Sequence, residues 1–502
     1  LWREIDWLTN RAGLSPGSVA VIDAEQGKSW TYKELNSRAE ALAGWLLERG
    51  AAKGDRIALL APNHISCLDF LFACGKIGAI FVPVNWRLAA EEIQAILADC
   101  TPVIIGYHYS FIELASRLQL HQYESVCLDE TPFRMPGRPF IPPWQVDEED
   151  PLAMIYTGGT TGKPKGAVLS HRAILWNAVN TAVSWGLTNQ DTTITYLPMF
   201  HTGGINALTL PLLLAGGKVV LAGNYNPSDA ARYIREYQCT IILLVPTMYH
   251  MLIDTDEFKE GSFESMRVFL SGGAPCPLSI YEEFRRKGLH FKEGYGMTEA
   301  GPNNFYISPQ EAVLKKGSIG RPMLFNTVKI LAETGVEAGN GEVGEVLIKG
   351  RHVFSCYWNN EEATKDAVRD GWLYTGDLAK VDDEGFFYIV GRKKDMIITG
   401  GENVYPLEVE QWLGSCPQVD EVSVIGIDDR KWGEAVTAFI VLKEAAAMTK
   451  DEIKGYCRQK LAAYKVPKFI YFLDKLPKTH VGKIDKKQLK MTAAEMAAAK
   501  EG

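Results

Sequence analysis

Short apolar runs alternate with segments of helical periodicity through the first half of this chain, and that alternation leaves few architectures open. Thr31-Tyr32-Lys33-Glu34 has the form of a capping box, and Leu35, Ala39, Leu42 and Leu46 follow with helical spacing. Residues 56–60 and 103–106 read as short buried strands. Later come strand 219–221, helix 229–237, strand 240–245, helix 247–253 and strand 268–270. A helix between two strands returns the chain to the same edge, so the strands run parallel. The expected class is α/β, with parallel-rich sheets covered by helices.

From Gly317 to about Gly391 the chain becomes glycine-rich and strand-rich. Residues 328–331 and 345–349 read as strands, and Asp382-Asp383-Glu384-Gly385 as a hairpin turn. Beyond Gly391-Arg392 comes a compact mixed unit: helix 407–413, strands 422–427 and 438–442, helix 450–462 and strand 469–473. With 502 residues the chain exceeds a single core, and the boundary is placed there, giving domains 1–391 and 392–502. The Ala/Lys-rich stretch 493–502 reads as a frayed end.

Several function classes fall away on composition. A net charge of −8 argues against a broad nucleic-acid surface. The nine cysteines are scattered and form no C-x-x-C, so neither a disulfide framework nor a zinc site is expected, and a reducing, cytoplasmic location is. The chain opens Leu1-Trp2-Arg3-Glu4, charged where a signal peptide is apolar. Its longest apolar stretch, near 205–222, is interrupted by Pro211, Gly216, Gly217 and Lys218 and reads as helix, turn and strand rather than a membrane span. Peripheral membrane contact stays open, and a monomer or homodimer is expected.

The most specific segment is Tyr156-Thr157-Gly158-Gly159-Thr160-Thr161-Gly162-Lys163-Pro164-Lys165-Gly166. Glycines let backbone N–H groups turn toward an anion, threonines add hydroxyl donors, and lysines add charge. Phosphate oxygens require that combination. Pro164 stands where a Walker A loop carries Ser or Thr, so this is a different phosphate loop.

The segment resembles the signature loop of the adenylate-forming superfamily, [ST]-S-G-T-T-G-x-P-K-G, with Thr157 first and Gly158 in place of the usual serine. Further motifs follow in the family's order, and they extend the resemblance, in its fatty-acid–CoA ligase branch, over nearly the whole chain. Met199-Phe200-His201-Thr202-Gly203-Gly204 is similar to the segment beside the acyl pocket. There His201 could bond a carboxylate or shift as a gate, or serve as a structural histidine. Ser271-Gly272-Gly273-Ala274-Pro275 resembles the adenine and acyl wall, implicating Gly273, Ala274 and Pro275. Glu293-Gly294-Tyr295-Gly296-Met297-Thr298-Glu299 groups an aromatic face, a hydroxyl and an acid. The resemblance gives these to adenine stacking, phosphate and Mg²⁺, with Glu299 the metal ligand.

Trp372-Leu373-Tyr374-Thr375-Gly376-Asp377 resembles Y-x-T-G-D, with the aromatic at 372 or 374, and implies that Asp377 takes ribose hydroxyls. Arg392 resembles a ribose or phosphate contact, and Lys394 a hinge. Gly400-Gly401-Glu402-Asn403 is similar to a loop that enters during thioester formation, and Lys483, in Gly482-Lys483-Ile484, to the lysine of the first step. The family also implies a small β-barrel-like subdomain in the large domain and a small, rotating α+β C-terminal domain. Its cofactors and substrates would be ATP, Mg²⁺, coenzyme A and a carboxylic acid. Segments 201–208, 245–249 and 271–275 contain no Asp, Glu, Lys or Arg, and Gly203, Gly204, Gly272 and Gly273 suggest room. That favours an apolar acid of medium or long chain, with an aromatic acid such as o-succinylbenzoate or a benzoate relative as the alternative. A stand-alone enzyme loading a carrier protein is a third reading.

Overall fold

In a computed structural model, the structure describes residues 5–128, 144–158, 164–479 and 484–501, with side chains as far as Met496. The expected capping box forms. Thr31 caps helix Tyr32–Glu48, and the Glu34 carboxylate accepts from the Thr31 backbone N–H at 2.7 Å. Leu35, Ala39, Leu42 and Leu46 are fully buried on the face this cap sets in register.

The α/β reading holds. A seven-stranded sheet runs Cys356–Tyr357, Lys165–Ser170, Pro151–Thr157, Ile80–Pro83, Arg56–Leu60, Ile104–His108, Glu124–Leu128. A four-stranded sheet contains Val19–Asp23 and Lys218–Leu221, paired in parallel, and a three-stranded parallel sheet runs Ile241–Leu244, Val268–Ser271, Phe291–Glu293. Parallelism breaks where the site lies. Pro151–Thr157 and Lys165–Ser170 are antiparallel, and so are Lys165–Ser170 and Cys356–Tyr357. The glycine-threonine segment is thus the connection of a hairpin, not of a strand–loop–helix unit.

The glycine-rich stretch forms a five-stranded antiparallel sheet, in which Trp372–Val381 pairs with Gly344–Lys349 and with Phe387–Arg392. Asp382–Gly385 makes the expected turn, the Gly385 N–H donating to the Asp382 carbonyl at 3.0 Å. A separate sheet follows, built from Ile397–Thr399, Glu402–Val404, Val419–Asp429, Gly433–Leu442 and Phe469–Phe472. The end of the chain differs from its reading. Lys486–Glu501 is one helix, and Leu489 and Ala493 are fully buried with Phe439 and Tyr471. Apolar residues four apart on one face suffice to dock it, even in an Ala/Lys-rich composition.

The apolar stretch near 205–222 is helix Thr209–Ala215, a left-handed Gly216 (φ +90°) and strand Lys218–Leu221. Among the described residues no helix is long and apolar enough to cross a membrane. Ahead of this stretch, helix Thr202–Ile205 packs so tightly on 197–198 that a Cβ on Gly204 would lie 2.3 Å from the Pro198 carbonyl oxygen. Gly204 is therefore a packing requirement and not free space for a ligand. Gly204→Ala is expected to lower unfolding free energy by about 1–3 kcal/mol. Gly13→Ala, in helix Trp7–Leu14 with nothing within 4 Å, is expected to raise it by about 0.5–1 kcal/mol. Urea denaturation of the two variants checks both signs.

Candidate active site

At the base of the hairpin, Thr157 faces Lys165, and its hydroxyl donates to the Lys165 carbonyl at 3.4 Å. Gly158 is exposed, with no heavy atom near a built Cβ. Gly159, Thr160, Thr161, Gly162 and Lys163 lie outside the described residues. The Lys165 ammonium sits 5.2 Å from the ring centroid of Tyr357, on the neighbouring strand.

The loop after strand Phe291–Glu293 faces that strand pair. The Tyr295 hydroxyl donates to Asp377 Oδ2 at 2.6 Å, and Arg392 Nε lies 3.1 Å from Asp377 Oδ1. Burial, and then the Asp377 charge, push the Tyr295 phenol well above its usual range. Thr298 and Glu299 are buried in the single turn Thr298–Ala300. Glu299 Oε1 accepts from the Tyr357 hydroxyl at 2.6 Å, and its backbone carbonyl accepts from the Phe354 N–H at 2.9 Å. Burial and the Glu299 carboxylate raise the Tyr357 phenol. Two buried carboxylates, Asp377 and Glu299, thus each accept from one tyrosine hydroxyl, of Tyr295 and Tyr357 respectively. Ionised carboxylates accept only, so this pair suits hydroxyl donors and a hard cation.

Not every residue of the motif faces the same way. Glu293 is turned into the protein, accepting from the Cys276 N–H at 3.0 Å and the Tyr281 hydroxyl at 2.9 Å. Burial raises its carboxyl to about 7 against those two bonds. The Gly294 N–H donates to the Ser271 carbonyl at 2.8 Å. Gly296 is where the loop crosses itself, since a Cβ there would meet the Pro302 carbonyl at 2.3 Å. Both glycines serve the loop's own path.

In the segment expected to border the acyl pocket, His201 caps helix Thr202–Ile205, its Nδ1 accepting from the Gly203 N–H at 3.3 Å. Gly273 has φ +81° and is exposed, with Ala274 and Pro275 following it at the surface of the turn. Tyr225 donates to the Met248 carbonyl at 2.8 Å, and the Tyr196 ring packs edge-on against it at 5.1 Å. Two aromatic rings therefore pack together beside Met248.

Around the boundary, Arg392 ends its strand on Asp377, and Lys393 reaches Glu345 Oε2 at 3.0 Å. Lys394 is exposed, and the next sheet begins at Ile397. Gly400 and Gly401 are both left-handed (φ +61° and +86°) and form the two-residue turn between Ile397–Thr399 and Glu402–Val404. Gly400 donates to the Trp432 carbonyl at 2.7 Å; Glu402 and Asn403 lie on the second strand. Lys483 lies outside the described residues.

Sequence reasoning missed Tyr357. Its only signal was an aromatic pair, Tyr357-Trp358, in a polar stretch, and the strand pairing that carries it to Glu299 spans nearly 200 residues of chain (about 190). It also missed a cluster beside residue 200, where the Arg87 guanidinium lies 5.0 Å from the Trp86 ring and 5.8 Å from the Phe200 ring.

Comparison with known proteins places these features in a wider group. Residues 8–358 match the family described as AMP-binding enzyme, and residues 408–483 match the AMP-binding enzyme C-terminal domain. A feruloyl-CoA synthase from Amycolatopsis sp is 38% identical over 484 residues, 96% of this chain and 98% of that protein. An indoleacetate–CoA ligase from Aromatoleum aromaticum is 36% identical, over 97% of this chain and 98% of that protein. The o-succinylbenzoate CoA synthetase of Bacillus subtilis, solved with its acyl-adenylate intermediate, superposes with a TM-score of 0.87 at 33% identity. That superposition covers 98% of this chain and 99% of the other.

Tyr357→Phe removes a donor from a buried carboxylate. Unfolding free energy is expected to fall by about 1.5–3 kcal/mol, the range for hydrogen bonds to charged groups. A change below about 0.5 kcal/mol in urea denaturation would show that the bond contributes nothing.

Proposed function

The chain belongs to the family of AMP-binding enzymes, in its acyl-CoA synthetase branch, and from that membership we propose that it couples an aromatic carboxylic acid to coenzyme A through an acyl-adenylate. The observation that carries the site reading is the convergence of Tyr295, Glu299 and Asp377, from two distant segments, opposite the Thr157–Lys165 hairpin.

A carboxylate is a poor acyl donor because its leaving group is oxide. Attack of the acid's oxygen on the α-phosphate of ATP forms the mixed anhydride and expels pyrophosphate. The CoA thiol then attacks the acyl carbon, and AMP leaves. Negative charge grows on phosphate oxygens in the first step, so fixed positive groups and donors lower the barrier there. In this reading the 157–165 segment holds the β- and γ-phosphates, and Tyr295 stacks on adenine. Asp377 accepts the ribose hydroxyls in exchange for, or beside, its bonds to Tyr295 and Arg392. The donor chemistry fits Mg²⁺: Glu299 is a buried carboxylate with one oxygen engaged by Tyr357, and its other oxygen would be the protein's ligand to a hard cation. When bound, that ion would neutralise charge on the phosphate oxygens; Glu299 would hold it, and Thr298 would lend a hydroxyl to phosphate.

Lys483 is assigned to the carboxylate and α-phosphate oxygens. Domain 392–502 is assigned a rotation about Lys394 that replaces Lys483 by the Gly400–Asn403 turn for the thiol step. The clips on the two residues just before Lys394, Arg392 to Asp377 and Lys393 to Glu345, leave Lys394 and the residues after it to absorb such a change. The scattered cysteines, with no C-x-x-C pair, support a reducing compartment such as the cytoplasm.

An aromatic acid is favoured over a long chain for two reasons. Tyr196 and Tyr225 pack together beside Met248, and in this reading they shorten the acyl cavity bordered by 245–249. The relatives named above bear the names of ferulate, indoleacetate and o-succinylbenzoate ligases, while a long-chain-fatty-acid–CoA ligase of Mycobacterium tuberculosis, 35% identical over 97% of this chain, supports the fatty-acid reading. A fatty acid is the second reading, supported by the absence of charged side chains from 201–208, 245–249 and 271–275.

The test is CoA thioester formation from ferulate, indoleacetate, o-succinylbenzoate, octanoate and hexadecanoate, followed by mass spectrometry. One of the aromatic acids is expected to exceed both fatty acids in kcat/KM by at least about tenfold, the discrimination a shaped apolar pocket supplies. Preference for hexadecanoate would overturn the aromatic assignment.

A further inference from the structure

We propose that His352 is a positioning residue for the Mg²⁺–ATP end of the site, acting through Asn304 on the turn that carries Thr298 and Glu299. The inference rests on the reading of Glu299 and Thr298 given above.

The turn is buried, and its carbonyls must find donors inside the protein. Asn304 supplies them. Its Nδ2 donates to the Ala300 carbonyl at 3.1 Å and the Gly301 carbonyl at 2.9 Å, and its backbone N–H donates to the Tyr295 carbonyl at 3.0 Å. One fully buried residue thus fastens both ends of the loop that holds Tyr295, Thr298 and Glu299, its backbone at the Tyr295 end and its side chain at the turn that carries Thr298 and Glu299.

Those bonds fix the orientation of the Asn304 amide. With Nδ2 against two carbonyls, Oδ1 is the atom facing His352 Nε2 at 2.9 Å, and the ring nitrogen must be the donor. Burial drives the imidazole's titration down to about 4, so near neutral pH the ring holds one proton, and this bond places it on Nε2. Asn304 Oδ1 also lies 3.2 Å from Asn326 Nδ2, whose amide bonds the Asn304 carbonyl at 2.8 Å. Asn326 Oδ1 accepts from Asn180 Nδ2 at 2.6 Å, and Asn180 Oδ1 from the Phe325 N–H at 3.1 Å. Every donor in the chain points the same way, which strengthens each link.

His352 has little freedom to do otherwise. It is 2% exposed, and its ring fills the place where a Cβ on Gly350 would stand, 2.4 Å from Cε1. It also belongs to a brace. Within six residues, His352 meets Asn304, the Phe354 N–H meets the Glu299 carbonyl, and Tyr357 meets the Glu299 carboxylate. A shift of His352 is therefore a shift of the loop.

Glutamine places an N–H near the Nε2 position, whereas asparagine is one bond too short. Both are polar, and their comparison separates the hydrogen bond from general packing. Acid-dependent ATP–pyrophosphate exchange is measured in wild type, His352→Gln and His352→Asn, with thermal unfolding alongside. His352→Asn is expected to raise KM for Mg²⁺–ATP or lower the exchange rate by about tenfold, with KM for the acid unchanged within about twofold. His352→Gln is expected within about threefold of wild type, and all three should form thioester equally from pre-made acyl-adenylate. If His352→Asn does not unfold cooperatively, His352→Met replaces it with the same expectation. Two results overturn the inference: loss-of-donor variants that match wild type, or His352→Gln and His352→Asn impaired alike in acid and nucleotide parameters. Absence of exchange in wild type would instead remove the functional reading beneath it.

Discussion

The site depends on a loop that satisfies its own polar groups away from water. Between Glu293 and Asn304 the chain must present a ring, a hydroxyl and a carboxylate toward one space while its backbone is buried. An unpaired buried carbonyl or amide costs about 1–3 kcal/mol. The loop avoids that cost through Asn304, through the Met297 N–H on the Gly301 carbonyl at 3.1 Å, and through the self-crossing that Gly296 permits. Once closed in this way it leaves Tyr295 and Glu299 few directions, and Asp377 and Tyr357 meet them from two other sheets.

Those meetings differ in strength. The Tyr295–Asp377 bond is short, half-buried and charge-assisted, the kind that holds geometry. The Arg392–Asp377 pair has an arginine side chain 51% exposed, and Lys393 facing Glu345 is 62% exposed. Exposed pairs of that sort contribute about 0–1 kcal/mol. A rigid loop beside a loosely clipped boundary is what a site would need if its small domain must change places between two chemical steps.

Much of the fold was legible because its signals are local. The capping box at Thr31–Glu34, the Asp382–Gly385 turn and the alternation from 219 to 270 each report a structure made by neighbours in sequence. What was not legible depends on distant partners. The antiparallel pairing of Lys165–Ser170 with Cys356–Tyr357 brings Tyr357 to Glu299, and no spacing announces it. Glu293 shared a motif with Tyr295 yet faces Cys276 and Tyr281, because Glu293 is the last residue of its strand while Tyr295 lies in the loop that turns away after it. Gly204 looked like room for a substrate, but its missing Cβ is occupied by the Pro198 carbonyl. The last helix looked frayed by composition and is held by Leu489 and Ala493, whose burial depends on a sheet formed earlier in the chain.

The central claim is that buried carboxylates, held opposite a phosphate loop, let this chain adenylate an acid. The most direct measurement is incorporation of labelled pyrophosphate into ATP by wild type and Glu299→Gln, with and without a carboxylic acid substrate. Exchange should require the acid and should fall by at least about a hundredfold in Glu299→Gln, the scale for losing one electrostatic contact to a transition state. Exchange that proceeds without acid, or that survives in Glu299→Gln within a few-fold of wild type, would contradict it.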